Sequence, residues 1–229
     1  MLQTKLYTGS EFPELLDETS GKFIKLPEKF SLEGFEPSQN PMVPMVHKDY
    51  VFTKSLFRDV ALFLARPHGH ALWLAGPTGS GKTSVITELA GRLNYPVYSI
   101  TCNSRMEFDD LVGRPMVISK PGEQPSVKFI YGPLARAMKS GGILLLNEVD
   151  LCDPAQLSGL NDVLEGRPLT ITQNGGEQIQ PHPMFRVVVT ANSSGNGDET
   201  GSYTGVLSQN VAAMDRYRLM RVDYLSEGI

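Results

Sequence analysis

From about Tyr50 onward, apolar residues follow two alternating rhythms. Short continuous runs at 71–75, 97–102, 143–146, 186–190 and 219–224 have the length and aliphatic content of strands buried on both faces. The segments 83–93, 134–140 and 154–165 between them carry apolar residues at helical spacing. The last opens on a start signal: Asp153 to cap, Pro154 for the first turn, and Gln156 three residues after the cap. Leu157, Leu160 and Leu164 then share a face, and Gly166 supplies the stop. Phe52, Leu56, Phe57, Val60 and Leu64 predict one more helix, ending before Pro67. Strands that alternate with helices predict an α/β fold, a parallel sheet covered on both sides. Two stretches fall outside that minimal sheet. Residues 114–130, around Pro121-Gly122, and 169–182, with Asn174-Gly175-Gly176 as the turn, read as hairpins.

Before this region the texture is different. Residues 1–46 are broken by Pro13, Pro27, Pro37, Pro41 and Pro44 and hold few periodic apolar runs. They read as an irregular N-terminal arm or small subdomain, followed by a core over 47–229.

Composition narrows the class. A chain of 229 residues with 41% hydrophobic and 20% charged residues can build a sizeable core. Its net charge of −4 gives no global attraction for nucleic acid or anionic lipid. No apolar run approaches the roughly 18–20 residues needed to span a bilayer, and the N-terminus lacks the apolar stretch of a signal peptide. The expected location is cytoplasmic. Cys102 and Cys152 are then expected as buried thiols, and His47, His68, His70 and His182 show no metal-ligand spacing with them.

The chemistry begins at Gly76, Pro77, Thr78, Gly79, Ser80, Gly81, Lys82 and Thr83, which match G-x-x-x-x-G-K-[ST] at every required position. The motif follows an apolar strand and opens a helix, as phosphate binding requires. Gly79 and Gly81 let the backbone curl so that N–H groups face phosphate oxygens, and the helix adds the positive end of its dipole. Lys82 is suited to the β- and γ-phosphates of ATP, and Thr83 to its Mg²⁺.

Some sixty residues on, Gly141-Gly-Ile-Leu-Leu-Leu-Asn-Glu-Val-Asp150 is an apolar strand ending in acids. Such an end usually offers an Asp for Mg²⁺ and then a Glu that orients the attacking water. Here Asn147 stands at the metal position and Glu148 at the base position. A neutral amide makes weaker contacts than a carboxylate, so metal affinity is expected to suffer. Asp150 is a candidate for partial compensation.

Several segments together resemble the MoxR/CobS type of AAA+ ATPase, which includes the ATPase subunit of aerobic cobaltochelatase. They are DLVGRPM, IYGPLARAMKSGGILLLNEVD, HPMFRVVV, TANSSGNGDETGSYTG and QNVAAMDRYRL. The resemblance covers about Tyr50 to Tyr224. It implies a three-layer αβα core on a five-stranded parallel sheet, two inserted hairpins, hexameric rings, and partners bearing a von Willebrand factor A domain. It also implies that Asn192 senses the γ-phosphate and that Arg216 is the finger offered to a neighbour's ATP. The chain departs from the pattern at Asn147, in place of the usual Walker B Asp. It also ends at Ile229, where the family continues into a helical lid.

The leading expectation is therefore an ATP-hydrolysing ring subunit that remodels a partner protein or drives metal insertion. A nucleotide-gated assembly switch with little turnover is the alternative, favoured by Asn147. A small-molecule kinase shares the phosphate loop but would not need Asn192 or Arg216 in the implied roles.

Overall fold

A computed structural model describes residues 2–119, 121–122, 124–192 and 215–224. The N-terminal part forms β1 (Thr4–Thr8), β2 (Leu15–Asp17), β3 (Lys22–Ile24), β4 (Ser31–Phe35) and β5 (Phe52–Thr53). Helix α1 (Lys54–Ala65) leads into β6 (Ala71–Ala75), α2 (Lys82–Arg92), β7 (Val97–Thr101) and α3 (Phe108–Val112). Then come β8 (Gly113–Ile118), β9 (Ser126–Tyr131), α4 (Pro133–Ser140) and β10 (Ile143–Asn147). The remainder comprises α5 (Pro154–Leu157), α6 (Leu160–Leu164), β11 (Leu169–Ile171), β12 (Glu177–Ile179), β13 (Arg186–Ala191) and β14 (Tyr217–Arg221).

The largest sheet has five strands in the order β14-β6-β13-β10-β7, and every pairing is parallel. Its central strands are mostly apolar because both faces are covered. Trp73, Leu144, Leu146, Val187 and Val189 pack into one buried cluster with α4 and α6, while Leu72, Leu74, Leu145 and Val188 pack into another with α1 and α2. The molecule is the expected three-layer αβα fold. Because all five strands run the same way, the ends of β6, β13 and β10 come out on one side of the sheet, where ligands bind in open α/β folds.

The first 46 residues contribute to this core. Tyr7, Phe12, Leu15, Leu32 and Phe35 are buried in the cluster shared with α1 and α2. Phe12 meets Phe57 edge-on at 5.5 Å, and Tyr7 Oη donates to the Phe35 carbonyl at 2.7 Å. The Phe35 N–H donates to Leu93 at the end of α2, and the Val97 N–H donates to Met42 at 2.7 Å. Within α2, the buried Glu88 accepts from the His47 backbone N–H and from Arg92.

Both expected hairpins are present as the antiparallel pairs β8–β9 and β11–β12. They are tied together: Glu177 of β12 accepts from Tyr131 Oη of β9 at 2.7 Å and from Lys139 of α4 at 3.0 Å.

Three expectations need correction. The single helix over 154–165 is two short ones, α5 and α6, joined at Ser158-Gly159. Gly159 at this join lies against Phe108, whose ring carbons stand 2.7–2.8 Å from where a Cβ would be, so a larger residue does not fit there. Asp153 does cap the start, accepting from the Ala155 N–H at 2.9 Å, but Gln156 accepts from the Phe108 N–H at 3.1 Å rather than completing a capping box. Phe52 belongs to β5, paired with Leu15, and only the residues from Lys54 are helical. The last sheet strand is Tyr217–Arg221 rather than 219–224.

Candidate functional site

Each strand end delivers one part of a cavity of about 350 Å³, lined by Thr78, Gly79, Gly81, Lys82, Thr83, Ser84, Thr101, Asn147, Glu148, Thr190 and Asn192. The loop after β6 turns through two left-handed glycines, Gly79 at φ 82° and Gly81 at φ 91°. A side chain would be strained at both. Gly81 caps α2, whose first-turn N–H groups have no intrahelical acceptor and carry the positive end of the helix dipole.

Lys82 sits in this loop and is mostly buried. Its Nζ donates to the Gly76 carbonyl at 2.6 Å, the Pro77 carbonyl at 2.8 Å and Asn192 Oδ1 at 3.3 Å. Burial holds the ammonium below the usual lysine range, partly offset by the carboxylates of Asp150 and Glu148. Thr83 Oγ1 donates to Asn147 Oδ1 at 2.9 Å. Asn147 in turn donates through Nδ2 to Ser99 Oγ at 3.3 Å and accepts from Thr190 Oγ1 at 3.4 Å. The amide is thereby oriented with its oxygen toward Thr83. A hydroxyl and an amide oxygen this close are hard donors of the kind Mg²⁺ takes. The residues present fit that ion as one bound jointly with a phosphate chain.

Glu148 leaves the strand through a left-handed turn, φ 55° and ψ 44°, which is rare for a residue other than glycine. Its N–H is held by Thr190 Oγ1 at 3.3 Å. The turn aims the exposed carboxylate into the cavity mouth, a strained conformation of a kind concentrated at functional sites.

Asp150 departs from expectation. It is fully buried, and its Oδ2 accepts the Asn192 N–H at 2.9 Å. It is not among the residues lining the cavity, and it fastens the end of β13 to the turn after β10. Its Oδ1 has no hydrogen-bond partner among the described residues. Sequence reasoning missed this tie and the double contact of Thr190. The one signal for Thr190 is a hydroxyl that follows three consecutive valines in Arg186-Val-Val-Val-Thr190.

Thr78 Oγ1 is 3.4 Å from Asn192 Oδ1, so the sensor candidate touches both the loop and Lys82. Tyr224 Oη donates to the Thr78 carbonyl at 2.5 Å. Arg216 is not among the residues lining the cavity. It sits before β14 and pairs with Glu165 at the end of α6, its Nε donating at 3.0 Å. That contact holds the Glu165 carboxyl below the usual range. Most of the segments TANSSGNGDETGSYTG and QNVAAMDRYRL lies outside the described residues. Cys102 and Cys152 are buried free thiols, as expected. No described helix is long and apolar enough to cross a membrane.

Comparison with known proteins gives the chain a family. The model of the AAA domain (dynein-related subfamily) matches residues 71–204. An uncharacterized protein of Staphylococcus haemolyticus is 31% identical over 187 residues, covering 81% of this chain and 67% of its own length. Aerobic cobaltochelatase subunit CobS of Sinorhizobium is 32% identical over 178 residues, 78% of this chain. The chain spans about half of that relative, 53% of its length. A solved structure, a candidate ATPase of Cytophaga hutchinsonii, superposes with a TM-score of 0.56 at 21% identity, over 76% of this chain and 46% of that one, which speaks for the fold. The chain belongs to the dynein-related subfamily of AAA domains and is a nucleotide-binding AAA+ ATPase that resembles CobS.

Proposed function

We propose that the chain binds ATP with Mg²⁺ in the cavity at the ends of β6, β13 and β10 and hydrolyses it as one subunit of a homo-hexameric ring. The observation that carries this reading is the meeting of Lys82, Thr83, Asn147, Glu148 and Asn192 on one cavity of about 350 Å³. Residues 76–83 wrap the phosphates with backbone N–H groups, and Lys82 exchanges two loop carbonyls for β- and γ-oxygens. Thr83 and Asn147 would hold Mg²⁺, which would neutralise charge on those oxygens. Glu148 orients the attacking water, and Asn192 reads the γ-phosphate while touching Lys82. Arg216 leaves Glu165 to serve a neighbour's cavity. Residues 1–46 form an N-terminal subdomain clasped to the core over 47–229.

The work done is remodelling of a partner protein, with a von Willebrand factor A domain protein as the proposed class, in the cytoplasm. Likeness to a cobaltochelatase subunit supports metal insertion as the more specific form of that work. Asn147 favours a second reading, in which the ring is a nucleotide-gated switch with little turnover, because its amide brings no charge to the metal.

Assembly tests the proposal. An arginine on the transferring phosphate contributes roughly 10³–10⁵ in rate, so specific activity should climb with protein concentration and level off as rings form. Arg216→Ala should flatten the curve while ATP affinity stays. Mixing Arg216→Ala with Glu148→Gln subunits should recover activity that neither variant has alone. Mixed rings that stay silent would remove Arg216 from the neighbour's site. Activity independent of concentration would remove the ring from the mechanism.

A further inference from the structure

Away from the nucleotide cavity, β14 is the outermost strand of the five-stranded sheet and pairs with β6 alone among the described residues. A second cavity, about 550 Å³, opens beside it, with Leu62 and Arg66 from α1 and its end on one wall and Arg218, Leu219, Met220 and Arg221 on the other. Successive strand residues point to opposite faces. Four in a row can share a cavity only if it wraps the edge of the strand that is unpaired among the described residues. The backbone N–H and C=O groups that β6 does not use therefore face this space.

Charge gives the edge a sign. Arg66, Arg218 and Arg221 line the cavity, and none has a carboxylate partner among the described residues. Arg218 donates only to the Arg66 carbonyl, at 3.4 Å. His68 adds a further basic group. The one acid on the wall, Asp59, pairs with Arg58 at 2.7 Å. This concentration of guanidinium groups occurs in a chain whose net charge is −4. Between the arginines, Leu62 and Leu219 are 51% and 45% exposed.

Charged side chains on an edge strand discourage pairing between copies of the same protein. Two such edges would bring arginine against arginine. The occupant they favour has the opposite sign.

We propose that this edge takes up an extended acidic segment of a partner protein by strand addition. Main-chain hydrogen bonds to β14 set the register, Asp or Glu side chains meet Arg66, Arg218 and Arg221, and alternate apolar side chains cover Leu62 and Leu219.

A fluorescein-labelled peptide of alternating Glu and Val, titrated with the full chain and followed by anisotropy, tests this. Saturable binding that weakens with salt is expected. The Arg218→Glu/Arg221→Glu variant, with its thermal melt retained, should bind roughly tenfold or more weakly. The same variant should acquire binding to a peptide of alternating Lys and Val, so a misfolded variant cannot imitate the result. Proline at alternate positions removes backbone donors and should abolish binding to the unmodified chain. Four results would overturn the proposal: no binding of the Glu/Val peptide, equal binding of the Lys/Val peptide, equal binding of the proline peptide, or tighter binding of a single-stranded oligonucleotide.

Discussion

The two ends of the nucleotide cavity are built in different ways. At the loop end, residues 76–83 are contiguous, and the backbone conformation is set by glycines within the motif itself. At the acid end, each side chain is placed by a different element. Ser99 of β7 and Thr190 of β13 orient Asn147, Thr190 also fixes the Glu148 turn, and Asp150 holds Asn192. Chemistry written in the backbone survives substitution of neighbours. Chemistry written in side-chain contacts depends on the packing of three strands, so it should be easier to tune and easier to lose.

The largest effect should come from the loop end. Lys82→Ala removes the one cation that the loop itself presents to the phosphates, and charge-assisted hydrogen bonds contribute about 1.5–3 kcal/mol each. ATP affinity by calorimetry should fall by roughly 10²-fold or more. Affinity unchanged within about twofold would contradict the assignment of this loop to phosphate.

At the acid end the expected loss is in turnover rather than binding. Asp150→Ala frees the Asn192 backbone from its anchor, and kcat should drop about tenfold, the scale of one hydrogen bond to a charged group. ATP affinity should hold, and Asp150→Asn should recover part of the rate, since its amide oxygen can still accept the Asn192 N–H. Equal falls in affinity and rate would mean that Asp150 supports the whole site through packing.

A smaller change is expected from Asn147→Asp. Restoring a carboxylate beside Thr83 should lower the Mg²⁺ concentration for half-maximal activity by about three- to tenfold, because a charged contact is roughly twice as strong as a neutral one. A Mg²⁺ titration that does not move would show that Asn147 lies outside the metal's coordination.

The same contrast explains what the sequence made legible. The strands at 71–75 and 143–146 and the glycine loop between β6 and α2 were readable because each is specified locally: aliphatic runs of strand length, glycines where φ must be positive, a helix opening on Lys82. The close contact at Gly159 was not, since it is with Phe108, which lies some fifty residues earlier. Helical spacing from Phe52 to Leu64 likewise hid the pairing of Phe52 with Leu15, a partner supplied by the N-terminal segment. Asp150 read as a second acid near the metal because sequence distance gives no direction. Its burial and its bond to Asn192 come from the parallel pairing of β10 and β13, which only the folded chain displays. The Pro-rich texture of residues 1–46 concealed six buried aromatic and leucine side chains, Tyr7, Phe12, Leu15, Leu16, Leu32 and Phe35, because much of what they pack against, such as α1 and α2, lies later in the chain.

The account turns on Glu148 being the residue that converts a nucleotide-binding cavity into a hydrolytic one. The most direct measurement compares ATP affinity and phosphate release for Glu148→Gln and the unmodified chain at concentrations that assemble. The substitution keeps the shape of the turn and removes the charge that orients water, so ATP should bind as before and remain unhydrolysed, with kcat down roughly 10²-fold or more. Phosphate release at the unmodified rate, with binding intact, would contradict the account and leave the strained turn after β10 without a catalytic purpose.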